Sequence, residues 1–423
     1  MRKVLVVAYY FPPFGGGGVQ RTAKFAKYLP EFGWCPVVLT VDERHVGLRD
    51  SSLEEEGAPH IPVYRTSALL FPLGFPWRLR NFIGRWLLLV DQQVGWLPFA
   101  VRHGLEIVRR EGVEAIYTTS APYTAHLIGL QLKKRTGLPW VADFRDPWVG
   151  NFSSRFPTSL HERIARWLER QVVGAADRLI VVSEPMRRAL LTRHPHLGFD
   201  EVQVLTNGYD PTDFEGVEPF GQDDDRLVIL YSGSFYGERQ TPFYFLQAIQ
   251  RALDKGQIPC QEIRVLFVGS MNPAFQRQIE ELHLSDVVTI LGYVTHRQSV
   301  GYLLGADVLL LIIGSGPGSE AVFTGKIFEY LAAGKPILAL VPPGVAADLV
   351  REAQAGVVVE PEDTQAIADQ TAILYQQWRR STLTIASNQE VIAHYDRRRL
   401  TADLAAILDR YSLAGSSDDG TSE

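Results

Sequence analysis

Two doubly wound α/β domains, each a parallel sheet covered by helices, are what this sequence predicts. Three observations carry that reading. Twelve short apolar runs show no inside–outside alternation, the pattern of strands buried on both faces. The runs alternate with longer helical patterns, as βαβ units require, and twelve strands exceed one comfortable sheet. A stretch rich in Gly, Pro and acid, FEGVEPFGQDDDR at 214–226, carries no helical period and divides the runs into two sets of six.

In order, the first set is VLVVAYY (4–10), PVVLTV (36–41), AIYTTS (115–120), WVADF (140–144), RLIVVS (178–183) and VQVLTN (202–207). The second is LVILYSG (227–233), RVLFVGS (264–270), VVTILGY (287–293), VLLLII (308–313), PILALV (336–341) and GVVVE (356–360). The expected organisation is therefore an N-terminal domain over 1–213, a linker over 214–226 and a C-terminal domain over 227–385. A terminal helix over 386–412, crossing back to the N-domain, and a disordered acidic tail over 413–423 complete it.

The bulk numbers bound the function. The 423 residues carry 46% hydrophobic and 21% charged residues, ordinary for folded domains. A net charge of -6 argues against a general nucleic-acid binder. Two cysteines, Cys35 and Cys260, allow neither a disulfide framework nor a cysteine zinc cluster, and fit a reducing cytoplasm. The N-terminal MRKVLVVAYYFPP reads as a first buried strand, because Pro-Pro and glycines interrupt it where a signal peptide would have its cleavage site. No run of eighteen apolar residues could span a membrane. His161-Glu162 lacks the second histidine of a zinc helix, and no metal is assigned.

One segment breaks the rhythm. Residues 69–104 set Trp77, Arg78, Arg80, Arg85 and Trp86 among many Phe and Leu. Two readings stay open: an excursion facing a membrane or an apolar acceptor, and a helical excursion packed on the N-domain.

The chemistry-bearing motifs sit where strands hand over to helices. GGGG at 15–18 lies between the first strand and the first helix, where glycine amides and a helix N-terminus bind phosphate well. It is neither a dinucleotide fingerprint nor a phosphate loop. In VFTGKIFEYLAAGKPILAL (322–340), Lys326 opens a helix and Glu329 lies one turn on, sharing its face. An ordinary exposed ion pair is the plainer reading of the two. In YSGSFYGERQ (231–240), Arg239 is a candidate phosphate clamp, since guanidinium matches phosphate in two-pronged contacts. In WVADFRDPW (140–148), Asp143 and Asp146 are candidates for a general base or for binding an acceptor sugar, against an ion-paired strand end around Arg145.

These segments, in this order, resemble the family-four glycosyltransferases of the GT-B fold, in which two Rossmann-like domains face across a cleft. The resemblance runs over residues 3–385 and is carried by GGVQRTAKFAKYLPEFGWCPVVLT, WVADFRDPW, TNGYD, YSGSFYGER and GKIFEYLAAGKPIL. It implies a hexosyltransferase-type enzyme that transfers a sugar with retention from a nucleotide-sugar, UDP- or GDP-linked, without a metal or other cofactor. Lys-x-x-Glu-Tyr-Leu segments of this kind imply bacterial cell-surface polysaccharide biosynthesis. The implied partner is a glycan or lipid-linked acceptor, met in the cytoplasm or at the inner face of the plasma membrane as a peripheral membrane protein.

By the same resemblance Gly17 and Gly18 line the diphosphate side, and Arg239 holds the donor diphosphate. Glu329 holds the ribose hydroxyls, and the backbone at Tyr293 contacts the nucleobase. Phe323 and Thr324 stand in the donor loop. Ser120, Asp143, Arg145 and Asp146 stand on the acceptor side. The chain also departs from the family pattern. Ala321 replaces the first donor-site glutamate, with Glu320 one residue off, and Val322-Phe323-Thr324 replaces Gly-Phe-Gly. Ser234 replaces an arginine, whose charge Lys326 supplies in this reading, so Arg239 and Lys326 are the expected catalytic cations. Arg145 and Ser120 stand where histidines are usual. Two other readings therefore accompany the transferase: a non-catalytic sugar-binding relative and a nucleotide-sugar 2-epimerase on the same fold.

Overall fold

The computed structural model describes residues 1–45, 47–56, 61–69, 90–151, 156–223, 225–235 and 240–412. Two compact units form. The first comprises 1–206 with 397–423, and the second 207–396.

In the first unit the described elements are β1 (Arg2–Val7), α1 (Gly17–Tyr28), β2 (Trp34–Val41), α2 (Ser51–Glu56), β3 (Val63–Thr66), α3 (Leu97–Glu111) and β4 (Ala115–Ser120). There follow α4 (Thr124–Thr136), β5 (Trp140–Phe144), α5 (Ser159–Val173), β6 (Arg178–Val181), α6 (Glu184–Arg193) and β7 (Val202–Val204). The seven strands run parallel in the order β3-β2-β1-β4-β5-β6-β7. Burial on both faces explains the unalternating runs. Leu5 and Val7 enter one core with Val37 and Leu39, while Val4 and Val6 enter another with Trp34 and Val38.

In the second unit come β8 (Leu227–Ser232), α7 (Phe243–Asp254), β9 (Ile263–Val268), α8 (Pro273–Glu281), β10 (Val288–Gly292), α9 (His296–Gly305) and β11 (Val308–Ile312). Then follow α10 (Lys326–Ala333), β12 (Ile337–Leu340), α11 (Val345–Glu352), β13 (Gly356–Val359), α12 (Thr364–Arg379) and α13 (Gln389–Ala393). The order β10-β9-β8-β11-β12-β13 is 3-2-1-4-5-6 in local numbering, the doubly wound arrangement of Rossmann folds. The chain then ends on α14 (Arg397–Ser412), which belongs to the first unit. Its Leu400, Leu404 and Leu408, one turn apart, pack into the core of β1 and β2. Trp34 Nε1 anchors it by donating to Asp409 Oδ1 at 2.7 Å.

The structure differs from the sequence expectation in four places. The four-residue edge strand β3 follows Pro62 and is only half-buried, so it lacks a long apolar run. The run at 4–10 stops being a strand at Val7, because Tyr9 turns away to meet Trp96, Phe14 and Tyr10 edge-on or tilted. The segment expected as a linker lies in the second unit: Phe220 packs on α9, where a Cβ on Gly301 would sit 2.5 Å from its ring. The terminal helix is two helices, interrupted where Tyr395 O accepts from Tyr209 N at 3.0 Å.

Of the excursion at 69–104, residues 70–89 lie outside the described residues, with Trp77, Arg78, Arg80, Arg85 and Trp86 among them. Residues 90–104 fold into the first unit. Trp96 is fully buried and donates Nε1–H to Thr66 Oγ1 at 2.8 Å, and α3 buries Ala100, Val101 and Gly104. The tail at 413–423 lies outside the described residues.

Candidate donor and acceptor sites

In open α/β sheets ligands bind beyond the carboxyl ends of the strands, where the strand order reverses. In the second unit that point lies between β8 and β11. Three neighbouring strands end there on glycines with positive φ: Gly233 (125°), Gly269 (126°) and Gly292 (77°). Chain passes too close for side chains, since a Cβ on Gly269 would lie 2.5 Å from Gly233 O. The result is an edge made of backbone, which admits a ligand that a side chain would exclude.

Over this edge stands Lys326, the first residue of α10. Burial of Ile327, Phe328, Tyr330 and Leu331 fixes the register of α10 and leaves Lys326 and Glu329 on its outer side. They do not serve as each other's hydrogen-bond partner. Lys326 Nζ donates to Tyr231 Oη at 2.6 Å and lies 3.9 Å from the centre of that ring. Tyr231 is fully buried, and Phe235 stacks on it at 4.3 Å with planes 9° apart. Gly233 makes room for the lysine: a Cβ there would be 2.9 Å from Nζ. Burial pushes the Lys326 ammonium down to about 7, with Glu329 opposing. A cation held against its own desolvation gains most from an arriving anion.

Glu329 Oε1 pairs instead with His296 Nε2 at 3.1 Å, from the first turn of α9. Thr295 and Gln298 box that turn, fixing the histidine. Tyr330 Oη accepts from Ser232 N at 2.8 Å and so clamps the end of β8 to α10. Tyr293, just beyond Gly292, is 37% exposed. Phe323 faces inward, tilted on Phe328 at 4.9 Å, and the Thr324 hydroxyl is buried without a hydrogen-bond partner among the described residues. Gly344 packs against the Glu320 backbone, with its would-be Cβ 2.5 Å from Glu320 Cα. Arg239 lies outside the described residues.

In the first unit the order reverses between β1 and β4, and the candidate residues gather at that edge. Gly17 and Gly18 open α1, exposed and without a side-chain cap. Nothing lies within 4 Å of where a Gly17 Cβ would be. Arg145 donates to the carbonyls of Gly18, Ser120 and Ala121, stitching the loops after β1, β4 and β5 together. Burial lowers its pKa. Ser120 is buried, with Oγ 3.5 Å from Asp143 O.

Asp143 is wholly buried and its carboxylate is fully occupied. Arg21 grips it two-pronged, Nε–Oδ2 and Nη2–Oδ1 both at 2.9 Å, while Tyr117 and Thr119 hydroxyls donate at 2.6 and 2.9 Å. Burial alone would raise its pKa, but Arg21 and Tyr117 hold it below the usual carboxylate range. Arg21 also reaches the Leu205 and Thr206 carbonyls, tying α1 to the end of β7. Asp143 therefore organises the interior and presents no oxygen to a ligand. Asp146 is exposed as a residue, while the chain around its carboxyl group raises its pKa by desolvation, with Arg145 opposing.

Sequence reasoning missed Tyr231, His296 and Arg21. Only Arg21 had a local signal, one turn after Gly17 on the same helix. Among the described residues no group of three His, Cys, Asp or Glu side chains is placed to hold a metal ion. No described helix is long and apolar enough to cross a membrane.

Comparison with known proteins follows the same division. A model of the "Glycosyl transferase 4-like domain" matches residues 16–208, and one of "Glycosyl transferases group 1" matches 226–377. Alpha-maltose-1-phosphate synthase of Mycolicibacterium smegmatis is 41% identical over 68 residues, 16% of this chain and 17% of that one. The chain spans only 17% and 31% of the lengths of two curated relatives it matches. Among solved structures, sucrose-phosphate synthase from Thermosynechococcus elongatus superposes with TM-score 0.69 at 19% identity, covering 98% of this chain and 100% of that one. Anabaena HepE in complex with UDP-glucose gives 0.65 at 20% identity, covering 97% and 100%.

Proposed function

This chain belongs to the family-four glycosyltransferases of the GT-B fold, and from that premise we propose that it transfers a hexose-type sugar, with retention, from a nucleotide-sugar to a glycan or lipid-linked glycan. The biosynthesis of a cell-surface polysaccharide is the proposed setting, in the cytoplasm at the inner face of the plasma membrane. The observation that carries the proposal is the pairing at the carboxyl edge of the second sheet: an ammonium held over a glycine edge by Tyr231, beside a carboxylate oriented by His296. Phosphate needs the first and ribose hydroxyls the second.

Each residue has a physical task in this proposal. As the bond to the anomeric carbon breaks, the leaving diphosphate gains negative charge. Lys326 neutralises it, and a preorganised donor of this kind is worth roughly 3–4 kcal/mol. Arg239 adds a second cation. Glu329, aimed by His296, accepts from the ribose hydroxyls, and the backbone at Tyr293 meets the nucleobase, with Phe323 and Thr324 shaping the loop nearby. Gly17 and Gly18 offer N–H groups of a helix N-terminus to anionic oxygen. Arg145 fixes the acceptor-side loops through Gly18, Ser120 and Ala121, and Asp146, an exposed residue, supplies the carboxyl group there for an acceptor hydroxyl. With the acceptor entering on the face the nucleotide leaves, the departing phosphate oxygen takes the acceptor proton, so no protein base is required.

Thermal-shift measurement against UDP, GDP, ADP and their common sugar conjugates, with and without magnesium, tests the proposal. A ligand at about 100 times its dissociation constant adds roughly 2.7 kcal/mol. One base should stabilise the protein without metal, and less so in Lys326→Met. Product from the matching donor should keep the donor's anomeric configuration by proton NMR. No shift with any nucleotide would favour the non-catalytic reading.

A further inference from the structure

We propose that the outer face of α5 is an interfacial surface that lies on a membrane containing anionic lipid. The inner face of this helix is accounted for: His161, Ala165, Glu169, Val172 and Val173 are buried. Glu169 is pinned there by Arg193 Nε at 3.0 Å and His194 Nε2 at 2.9 Å, and the Thr158 hydroxyl caps the first turn. The opposite face is not explained by packing. Leu160 and Trp167 are 57% and 55% exposed, and their spacing of two turns puts them on one line, with half-buried Ile164 beside it.

Exposed Arg163, Arg166 and Arg170 run along one side of that line. Arg166 pairs with Glu162 at 2.6 Å, and among the described residues Arg163 and Arg170 have no carboxylate partner. A single exposed apolar residue needs no explanation. A leucine and a tryptophan aligned on a rigid helix, flanked by arginines, match the composition of helices that lie in the lipid headgroup region. Charge selects the occupant. A second copy meeting this face about a two-fold axis would set arginine against arginine, whereas anionic headgroups complement it.

The inference does not depend on the proposed donor or reaction, and its test uses no turnover. Full-length protein is sedimented with vesicles of phosphatidylcholine and phosphatidylglycerol in about a 7:3 ratio, and with phosphatidylcholine alone. Wild type should bind the mixed vesicles and bind phosphatidylcholine more weakly. Leu160→Ala/Trp167→Ala should lose about ten-fold in binding or more. Arg163→Gln/Arg170→Gln should lose about five-fold per arginine and with it the preference for phosphatidylglycerol. All four side chains are exposed, and an unchanged melting temperature checks each fold; should one pair fail to fold, the other decides. Wild type left in the supernatant with both vesicles overturns the proposal, as does either folded variant binding like wild type. So does a dimer in light scattering that the Trp167 variant dissociates, which would give the face to a second copy.

Discussion

The ammonium of Lys326 sets a pH dependence that can be worked out beforehand. Burial pushes it down to about 7, against 10.5 for a lysine in water. It is then about nine-tenths protonated at pH 6 and about one-tenth at pH 8. A diphosphate diester needs the charged form and holds it, so binding at the higher pH includes drawing a proton from solvent. Affinity for a nucleotide-sugar should therefore fall about ten-fold from pH 6 to pH 8, roughly 1.4 kcal/mol. Calorimetry in two buffers of different ionisation enthalpy should also report proton uptake at pH 8. UDP-glucose and GDP-mannose are suitable probes, because a diester has no terminal phosphate titrating in this range. Among the described residues the titratable groups around Lys326 are Glu329, which opposes the shift, Tyr231, and His296 on the far side of Glu329. Since His296 is a second titratable side chain, held against Glu329, the decisive comparison is Lys326→Met, which should bind weakly with a flat profile, while His296→Gln keeps the slope. A flat wild-type profile, or a slope that survives Lys326→Met, would refute the reasoning.

Other outcomes follow from the same geometry. The folded-state pKa of Lys326 lies below its unfolded value, so the unfolded chain binds more protons above about pH 7 and this residue's contribution to stability rises with pH; the wild-type melting temperature should gain on that of Lys326→Met from about pH 7 to about pH 9. Gly233→Ala puts a Cβ 2.9 Å from Lys326 Nζ at a φ of 125°; it should cost about 1–3 kcal/mol in denaturant titration and weaken nucleotide binding further than its stability loss explains. Arg21→Met leaves the Asp143 charge buried without its cation and should cost about 3–5 kcal/mol, part of which Asp143→Asn restores in a double-mutant cycle. Gly17→Val meets no neighbour, so the melting temperature should hold while transfer falls sharply; unchanged turnover would remove Gly17 from the site.

What the sequence made legible was whatever one element encodes by itself. Strands buried on both faces announce themselves as unbroken apolar runs, and β4 and β5 fall on the expected residues, 115–120 and 140–144. The short edge strand β3, half-buried, has no such run. The candidate residues of each unit were legible to the same depth. The positions of Gly17, Gly18, Lys326 and Glu329 at strand–helix junctions follow from local pattern plus the rule that ligands gather at the carboxyl edge.

Pairings across the sheet were not legible, because nothing within one element specifies them. Lys326 and Glu329, one turn apart, read locally as an ion pair. The fold sends the first to Tyr231, 95 residues away, and the second to His296, 33 residues away. DFRD reads as carboxylates around Arg145, yet Asp143 belongs to Arg21, 122 residues off, and Arg145 spends its donors on carbonyls. The consequence is physical. Had Lys326 paired with Glu329, each charge would have been satisfied before a ligand came, and an arriving diphosphate would have had to break that pair. Held by the Tyr231 phenol and ring instead, the ammonium has no carboxylate in direct contact among the described residues, which leaves its charge for an arriving anion.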